Sequence, residues 1–389
     1  MPTHRSGRHF LQIPGPTNVP DRVLRAIAQP TIDHRGDAFA VLGKEVLTGL
    51  QWVFRNSGPV IIYPSSATGA WEAAFVNTLS PGDRVLSVEI GEFARLWAEV
   101  AKRHGLEVQV VDTDWTGGVD PAAVETALAA DQEHRIKAIL VVHNETSTGA
   151  TTRLAEIRRA IDRTKHPVLF FVDAVSSLGS IDLRQDEWGI DVCVAGSQKG
   201  LMLPPGLAFN SISAKALAAS RDATLPKSYW AWGPMLASNA QGFFTYTPST
   251  NLLYGLREAL QMLRDEGLDA VFARHRRLAA ATRAAVCGWG LDILCRREDE
   301  RSAVVTTVML PEGIDADRLR ATALERFDLS LGTGLGRLKG RAFRIGHLGD
   351  FNALMLMGTL SGVEMALGLT GVPVRKGGVL AAMDLLSGP

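Results

Sequence analysis

Between residues 60 and 195 the chain alternates short apolar runs with longer amphipathic stretches, and this alternation is the strongest constraint on its fold. The apolar runs predict strands at 60–63, 84–88, 108–111, 138–142, 168–172 and 192–195. The stretches between them predict helices at 68–78, 93–104, 121–130 and 154–164. Strands that are separated by helices favour a mostly parallel α/β sheet, because parallel neighbours need a crossover connection.

The pattern changes after about residue 250. Helices predicted at 252–266 and 269–288 precede strands at 304–309 and 343–345, which is typical of a smaller α+β unit. A chain of 389 residues also exceeds the size of a usual single core. We therefore expect a mostly irregular N-terminal arm at 1–20, a large domain at 21–255 that begins with helices at 21–28 and 38–54, and a small C-terminal domain at 256–389.

The composition argues against several classes of protein. Lysine plus arginine equals aspartate plus glutamate, at 41 each, so there is no basic excess for nucleic-acid binding. No apolar run reaches the length of about 18 residues that a membrane span needs. The three cysteines, Cys193, Cys287 and Cys295, lack the paired spacing of disulfides or zinc sites, so we expect no metal and a reducing cytoplasm.

Two chemically distinctive side chains follow neighbouring apolar runs. Asp173 comes directly after the run 168–172, and Lys199 comes shortly after the run 192–195. The carboxyl ends of parallel strands meet at one edge of the sheet, which is where open α/β sheets bind ligands. A lysine amine that forms a Schiff base and a carboxylate that keeps a ring nitrogen protonated are what pyridoxal phosphate requires. Lysines and strand-end aspartates are usually solvated or turn residues, but Lys199 has apolar, glycine-rich flanks.

Two further segments point to anion binding. The segment 64–70, PSSATGA, joins a strand to a helix and offers hydroxyls and free N–H groups for a phosphate, although an ordinary helix cap has the same residues. Arg344 lies within an apolar run, where its guanidinium suits a carboxylate ligand or an internal ion pair.

Taken together, these segments resemble the class V, fold-type I pyridoxal-phosphate aminotransferases, and most closely the serine–glyoxylate and alanine–glyoxylate group. The resemblance extends over nearly the whole chain. It is carried by PGPTNVP at 14–20, DHR at 33–35, WEAA at 71–74, NTL at 77–79, HNETSTG at 143–149, DAVSS at 173–177, GSQKG at 196–200, YTP at 246–248 and FRIGH at 343–347.

The resemblance implies roles around pyridoxal 5'-phosphate. Lys199 would hold the cofactor covalently and move the proton at the substrate Cα, while Asp173 would pair with the pyridinium nitrogen. The other residues expected to bind the cofactor are Ser66, Ala67, Thr68 and Gln198 at the phosphate, Phe93 and Val175 on the ring, Thr146 at the ring oxygen, and Thr247 at the phosphate of the neighbouring subunit's cofactor in a homodimer with shared sites.

The substrate would lie between Arg344, which is expected to hold its α-carboxylate, and the turn formed by Pro16, Thr17 and Asn18. The resemblance implies transfer of the amino group of a small L-amino acid, best L-serine, to glyoxylate, giving hydroxypyruvate and glycine. L-aspartate or L-alanine as donor, and pyridoxamine–pyruvate transamination, are the alternatives. The last of these needs no tightly held phosphate, so the hydroxyls at 66 and 68 argue against it.

Several positions depart from the pattern of the family, among them Thr245 and Ser249 in place of prolines and the loop 229–233, and two of the departures concern the phosphate. Ala67 stands where a glycine is usual in the phosphate loop, and its Cβ is expected to tighten or shift that loop. Phe244 stands where some relatives have a tyrosine that reaches the phosphate, so one hydrogen bond is expected to be lost.

Overall fold

Residues 6–388 are described by a computed structural model. The first five residues of the arm predicted at 1–20 therefore lie outside the described residues. The strands are β1 Phe10–Gln12, β2 Val60–Tyr63, β3 Arg84–Glu89, β4 Glu107–Asp112, β5 Ile136–Val142, β6 Asn144–Glu145, β7 Ala150–Thr151, β8 Leu169–Asp173, β9 Val192–Gly196, β10 Ala208–Ile212, β11 Asp292–Ile293, β12 Val305–Met309, β13 Leu329–Thr333 and β14 Ala342–Gly346. The helices are α1 Asp21–Ile27, α2 Asp37–Phe54, α3 Ala67–Thr78, α4 Glu92–Arg103, α5 Pro121–Ala130, α6 Leu154–Thr164, α7 Ala214–Ala219, α8 Trp232–Asn239, α9 Thr250–Glu266, α10 Leu268–Trp289, α11 Ala316–Phe327, α12 Ala353–Leu369 and α13 Gly378–Ser387.

A seven-stranded sheet forms the larger part of the molecule, with the strand order β2-β10-β9-β8-β5-β3-β4. Its pairs are parallel except where β10 lies between β2 and β9 and runs antiparallel to both. The predicted α/β class with a mostly parallel sheet is confirmed. The strand β10 was not predicted from the sequence.

Helices cover this sheet with amphipathic faces. The buried residues of α4 are Ala94, Trp97, Ala98 and Ala101, the spacing of one apolar face of a helix. The helix α4 packs on β3 and β5, and α3 packs on β9 and β10. The central strands β8 and β9 are buried along their whole length, as expected for strands covered on both faces.

A second sheet has five strands in the order β1-β13-β14-β12-β11. The residues of β1 lie in the arm that was predicted to be mostly irregular, but they pair in parallel with β13, Phe10 opposite Leu329 and Gln12 opposite Leu331. A three-residue strand carries too little periodicity to be seen in the sequence, and here it is formed by hydrogen bonds to a partner more than 300 residues away.

Each sheet has its own hydrophobic core. One cluster of buried residues extends from Val23 to Phe272 and the other from Leu278 to Ala382. The predicted domain boundary at residue 255 falls within α9 and stays a prediction. Over residues 6–388, no helix is both long enough and apolar enough to cross a membrane.

Candidate active site

A cavity of about 150 Å³ lies at the carboxyl end of the large sheet. It is reached by segments that follow β2, β3, β5, β8 and β9, so five strand ends contribute to it. The residues that line it are Ser66, Ala67, Thr68, Trp71, Phe93, Val142, Asn144, Thr146, Asp173, Val175, Ser176, Gln198 and Lys199. The structure thus brings together nine of the predicted site residues in one place.

Asp173 is the last residue of β8 and is buried at the base of this cavity. Its Oδ1 accepts a hydrogen bond from the backbone N–H of Val175 at 2.8 Å, and its Oδ2 accepts one from the indole N–H of Trp71 at 2.9 Å. Burial raises the pKa of Asp173 to about 7, although both donors and the nearby Lys199 oppose the rise. A cation placed beside this carboxylate would therefore gain a buried, preoriented partner.

Lys199 lies in the turn after β9 and is almost fully buried. Its ammonium group donates to the carbonyl oxygen of Pro14 at 2.5 Å. Burial, and secondarily the positive charge of Arg344, lower the pKa of Lys199 to about 8, while Asp173 and Glu145 oppose this shift. A lysine with a lowered pKa supplies the neutral, nucleophilic amine at a pH closer to neutrality.

The N-terminal segment passes directly over Lys199. The backbone N–H of Thr17 donates to the carbonyl of Gln198 at 3.1 Å, and its hydroxyl donates to the carbonyl of Lys199 at 3.2 Å. Gly15 has a φ of 103°, and a Cβ there would overlap the Lys199 side chain. This contact explains why glycine stands at position 15.

The start of α3 offers hydrogen-bond donors to the cavity. Ser66 is the N-cap residue of α3, but its side chain makes no capping hydrogen bond to the helix. Thr68 is in the first turn, and both residues line the cavity together with Ala67. Free backbone N–H groups at a helix start, next to two hydroxyls, form a suitable environment for a phosphate.

Arg344 lies on β14 of the small sheet and is 6 % exposed. Its Nε donates to the carbonyl of Thr333 at 2.7 Å and its Nη1 to the carbonyl of Thr146 at 2.9 Å. These two bonds hold the guanidinium plane next to the loop that carries Thr146. Within residues 6–388, no hydrogen bond of its Nη2 group is found, so that group is available to a ligand.

Five predicted site residues are not among those that line this cavity: Thr247, Arg344, Pro16, Thr17 and Asn18. Thr247 lines a separate cavity that also includes Tyr229, Phe244 and Tyr246. Asn18 directs its side-chain amide to the carbonyl of Leu11 at 3.2 Å rather than toward Lys199. Pro16 follows Gly15 through a cis peptide bond in the segment that passes over Lys199.

Sequence reasoning missed other residues of the cavity. Trp71 was seen only as part of a motif, since a tryptophan inside a helix usually indicates core packing. Asn144 and Ser176 form a reciprocal pair, in which the Asn144 amide donates to the Ser176 hydroxyl at 2.8 Å and this hydroxyl donates to the Asn144 carbonyl at 2.7 Å. Asn144 follows β5 and Ser176 follows β8, and this position is the signal in the sequence that could have assigned them to the site.

Comparisons with known proteins agree with this geometry. The model of the family described as Aminotransferase class-V matches residues 9–334. The chain is 46 % identical to a serine–glyoxylate aminotransferase of Methylorubrum extorquens, over 99 % of this chain and 97 % of that protein. It is 44 % identical to an L-aspartate–glyoxylate aminotransferase of Paracoccus denitrificans, over 96 % of this chain and 94 % of that protein. A crystal structure of ureidoglycine–glyoxylate aminotransferase from Bacillus subtilis superposes with a TM-score of 0.92 at 27 % identity, covering 100 % of both chains.

Proposed function

Since the chain belongs to the class-V aminotransferases, which depend on pyridoxal 5'-phosphate, we propose that it transfers the amino group of L-serine to glyoxylate. The products are hydroxypyruvate and glycine. The observation that carries the proposal is the placement of Lys199 and Asp173 in one buried cavity, at the ends of the adjacent strands β8 and β9.

The residues present fit this cofactor. A buried amine, a buried carboxylate and the hydroxyl-bearing start of α3 line the same cavity. When bound, pyridoxal phosphate supplies a carbonyl carbon that captures amines and a ring that withdraws electrons from the substrate Cα–H bond. The start of α3, with Ser66 and Thr68, would hold the phosphate together with Gln198. Phe93 and Val175 would contact the ring, and Thr146 would approach its oxygen.

Lys199 and Asp173 would have separate tasks. Asp173 would pair with the ring nitrogen and keep it protonated, which strengthens the ring as an electron acceptor. Lys199 would hold the cofactor and then, as a free amine, move the proton at the substrate Cα. Its lowered pKa supports this second task, because an effective general base has a pKa near the working pH.

Arg344 would bind the substrate α-carboxylate through the Nη2 group that its backbone contacts leave available. Pro16 and Thr17 would limit the room for the substrate side chain, with Asn18 supporting their turn through its bond to Leu11. A donor with a small side chain fits an enclosure of this kind.

The charges around the cavity favour a neutral donor such as serine. Lys199 is the only basic residue among the lining residues that the structure describes. Arg320, which lies near Arg344, pairs with Asp317 at 2.7 Å and so carries little unbalanced charge. Apart from Lys199, none of the described residues that line this cavity offers a cation for the second carboxylate of aspartate. Aspartate remains the second candidate, because an L-aspartate–glyoxylate aminotransferase is 44 % identical to this chain.

We also propose a homodimer with shared sites in a reducing cytoplasm. Thr247 lies outside the Lys199 cavity and beside Tyr229 and Tyr246, which are 40 % and 39 % exposed. From this position Thr247 would reach a cofactor phosphate only in a second subunit. All three cysteines are unpaired, which suits a reducing compartment.

The test is the specificity constant for each donor with glyoxylate as acceptor. We expect kcat/KM for L-serine to exceed the values for L-alanine and L-aspartate by at least about tenfold, a difference of about 1.4 kcal/mol. Lys199→Ala should abolish turnover, while Lys102→Ala, which changes an exposed lysine on α4, should leave it unchanged. Retained turnover in Lys199→Ala would remove Lys199 from its proposed role, and a preference for aspartate would change the donor.

A further inference from the structure

The indole of Trp71 donates a hydrogen bond to the buried carboxylate of Asp173. Trp71 lies in α3, is 4 % exposed and lines the cavity. Its Nε1–H donates to Asp173 Oδ2 at 2.9 Å, while Val175 N–H donates to Asp173 Oδ1 at 2.8 Å. Each carboxylate oxygen therefore receives one donor from residues 6–388, and the pair of bonds sets the plane of the carboxylate.

An aromatic stack holds the Trp71 ring in place. Its ring lies 5.8 Å from that of Trp97, and the two planes differ by 20°. Phe75 stacks on Trp97 at 6.2 Å and on Phe171 at 6.3 Å. Phe171 lies two residues before Asp173 on β8, so both side chains are on the same face of that strand. The stack thus ties the indole to the strand that carries its acceptor.

We propose that Trp71 is a positioning residue for the cofactor, whose indole N–H holds the Asp173 carboxylate in the orientation in which it pairs with the ring nitrogen. This inference rests on the proposed function, specifically on the role of Asp173. The helix α3 would then act at two parts of the cofactor. Ser66 and Thr68 at its start are proposed to bind the phosphate, and Trp71 would act on the ring nitrogen through Asp173.

The charges around Asp173 indicate the direction of the effect. Burial raises the pKa of Asp173 and the charge of Glu145 acts in the same direction, whereas the Val175 and Trp71 donors and Lys199 lower it. The neighbouring thiol, Cys193, has its own pKa raised well above its ordinary value and stays neutral. Removing the indole N–H takes away one of the groups that favour the ionised carboxylate, so the pairing with a cationic ring nitrogen should weaken.

The chain offers a matched control in Trp97. It belongs to the same stack and is fully buried, but within the described residues its Nε1 has no hydrogen-bond partner. Trp71→Phe and Trp97→Phe both remove an indole N–H and reduce the same ring volume. Only the first removes a donor from Asp173.

The experiment measures the dissociation constants of pyridoxal phosphate and of its analogue in which carbon replaces the ring nitrogen. The wild type, Trp71→Phe and Trp97→Phe are compared by absorbance titration of the cofactor-free proteins. Trp71→Phe should bind pyridoxal phosphate at least about tenfold more weakly, the typical consequence of losing a hydrogen bond to a charged group. Its affinity for the carbon analogue should change by less than about threefold, and Trp97→Phe should not discriminate between the two ligands.

Equal weakening of both ligands in Trp71→Phe would show a packing role alone and overturn the proposal, as would unchanged binding of both. Asp173→Asn in the same titrations separates this failure from that of the proposed function. Loss of discrimination in Asp173→Asn but not in Trp71→Phe would refute only the role of Trp71. No discrimination by the wild type would refute the role of Asp173 itself. If Trp71→Phe does not fold, Trp71→Met replaces it with the same expected results.

Discussion

Two buried carboxylates near the cavity differ in how many protein donors reach them. Glu145 Oε1 accepts hydrogen bonds from the backbone N–H and the hydroxyl of Ser147, at 2.9 and 2.7 Å. Its Oε2 accepts bonds from the backbone N–H groups of Phe93 and Ala94, both at 3.1 Å. Asp173 receives one donor on each oxygen from the described part of the chain. A carboxylate has room for about four donors, so Glu145 is satisfied and Asp173 is not.

This difference indicates that Glu145 has a structural role and that Asp173 can still accept a hydrogen bond from a ligand. Glu145 joins the start of α4 to the turn at 145–147 and thereby fixes Phe93 and Thr146 at the cavity wall. Burial raises the pKa of both carboxyl groups. Only Asp173 lines the cavity with acceptor positions left over, which is the condition for binding a protonated ring nitrogen.

Of the changes at these two carboxylates, the largest effect is expected when Asp173 loses its charge. Asp173→Asn should lower kcat/KM by about 30-fold or more, because removing one partner of a buried charge pair costs about 2–5 kcal/mol. Steady-state kinetics with saturating cofactor measures it. Activity within a factor of three of the wild type would mean that the spare acceptor positions of Asp173 have no catalytic use.

The second prediction concerns the stability of the cofactor-free protein as a function of pH. The pKa of Asp173 is raised from 3.8 to about 7, so its contribution to stability is fully present below pH 3.8 and is lost as pH rises through about 7. Between pH 4 and 7 the wild type should lose on the order of 3 kcal/mol more than Asp173→Asn. Lys199 does not interfere, because its pKa of about 8 lies above this window.

Urea unfolding at a series of pH values measures this difference. The two proteins should diverge as the pH rises from 4 to 7, with the variant showing the flatter profile. Parallel profiles would mean that Asp173 is not destabilised by burial, and the contrast with the satisfied Glu145 would lose its electrostatic basis.

A smaller effect, of a different kind, is expected at the satisfied carboxylate. Glu145→Gln places an amide NH₂ against backbone N–H donors, so the free energy of unfolding should fall by about 2 kcal/mol. Cofactor affinity should fall less than in Asp173→Asn, since Glu145 acts on the cavity only through its neighbours and is not a lining residue. Glu99→Gln, which breaks a surface ion pair with Lys102 on the same helix, is the control and should leave the stability nearly unchanged. A large loss of cofactor affinity with unchanged stability would place Glu145 in the binding site instead.

Local signals explain why much of the fold was predictable. The helix α5 begins and ends where the sequence predicted, because Asp120 caps it and Pro121 occupies its first position. The strand β10 was missed because it contains a buried asparagine, Asn210, whose amide is satisfied by Tyr63 and by a carbonyl of α3. Only the tertiary structure makes that residue acceptable within a strand.

The residues of the candidate site also fall into two groups: those that a local sequence pattern identifies and those that depend on the tertiary structure. Asp173 and Lys199 were predictable because each follows an apolar run, and parallel topology then requires that they meet. The bond from Trp71 to Asp173 spans 102 residues and depends on a ring orientation that aromatic packing sets. The contact between Pro14 and Lys199 spans 185 residues and depends on β1 joining the small sheet. Neither leaves a periodic signal in the sequence.

The most direct test of amino-group exchange at the Lys199 cavity is a single half-reaction. Protein loaded with pyridoxal phosphate is mixed with L-serine in the absence of any acceptor, and glyoxylate is added afterwards. We predict one equivalent of hydroxypyruvate per subunit in the first step and one equivalent of glycine in the second, with the starting visible spectrum restored. Hydroxypyruvate that forms only when both substrates are present together, or does not form at all, would contradict the account.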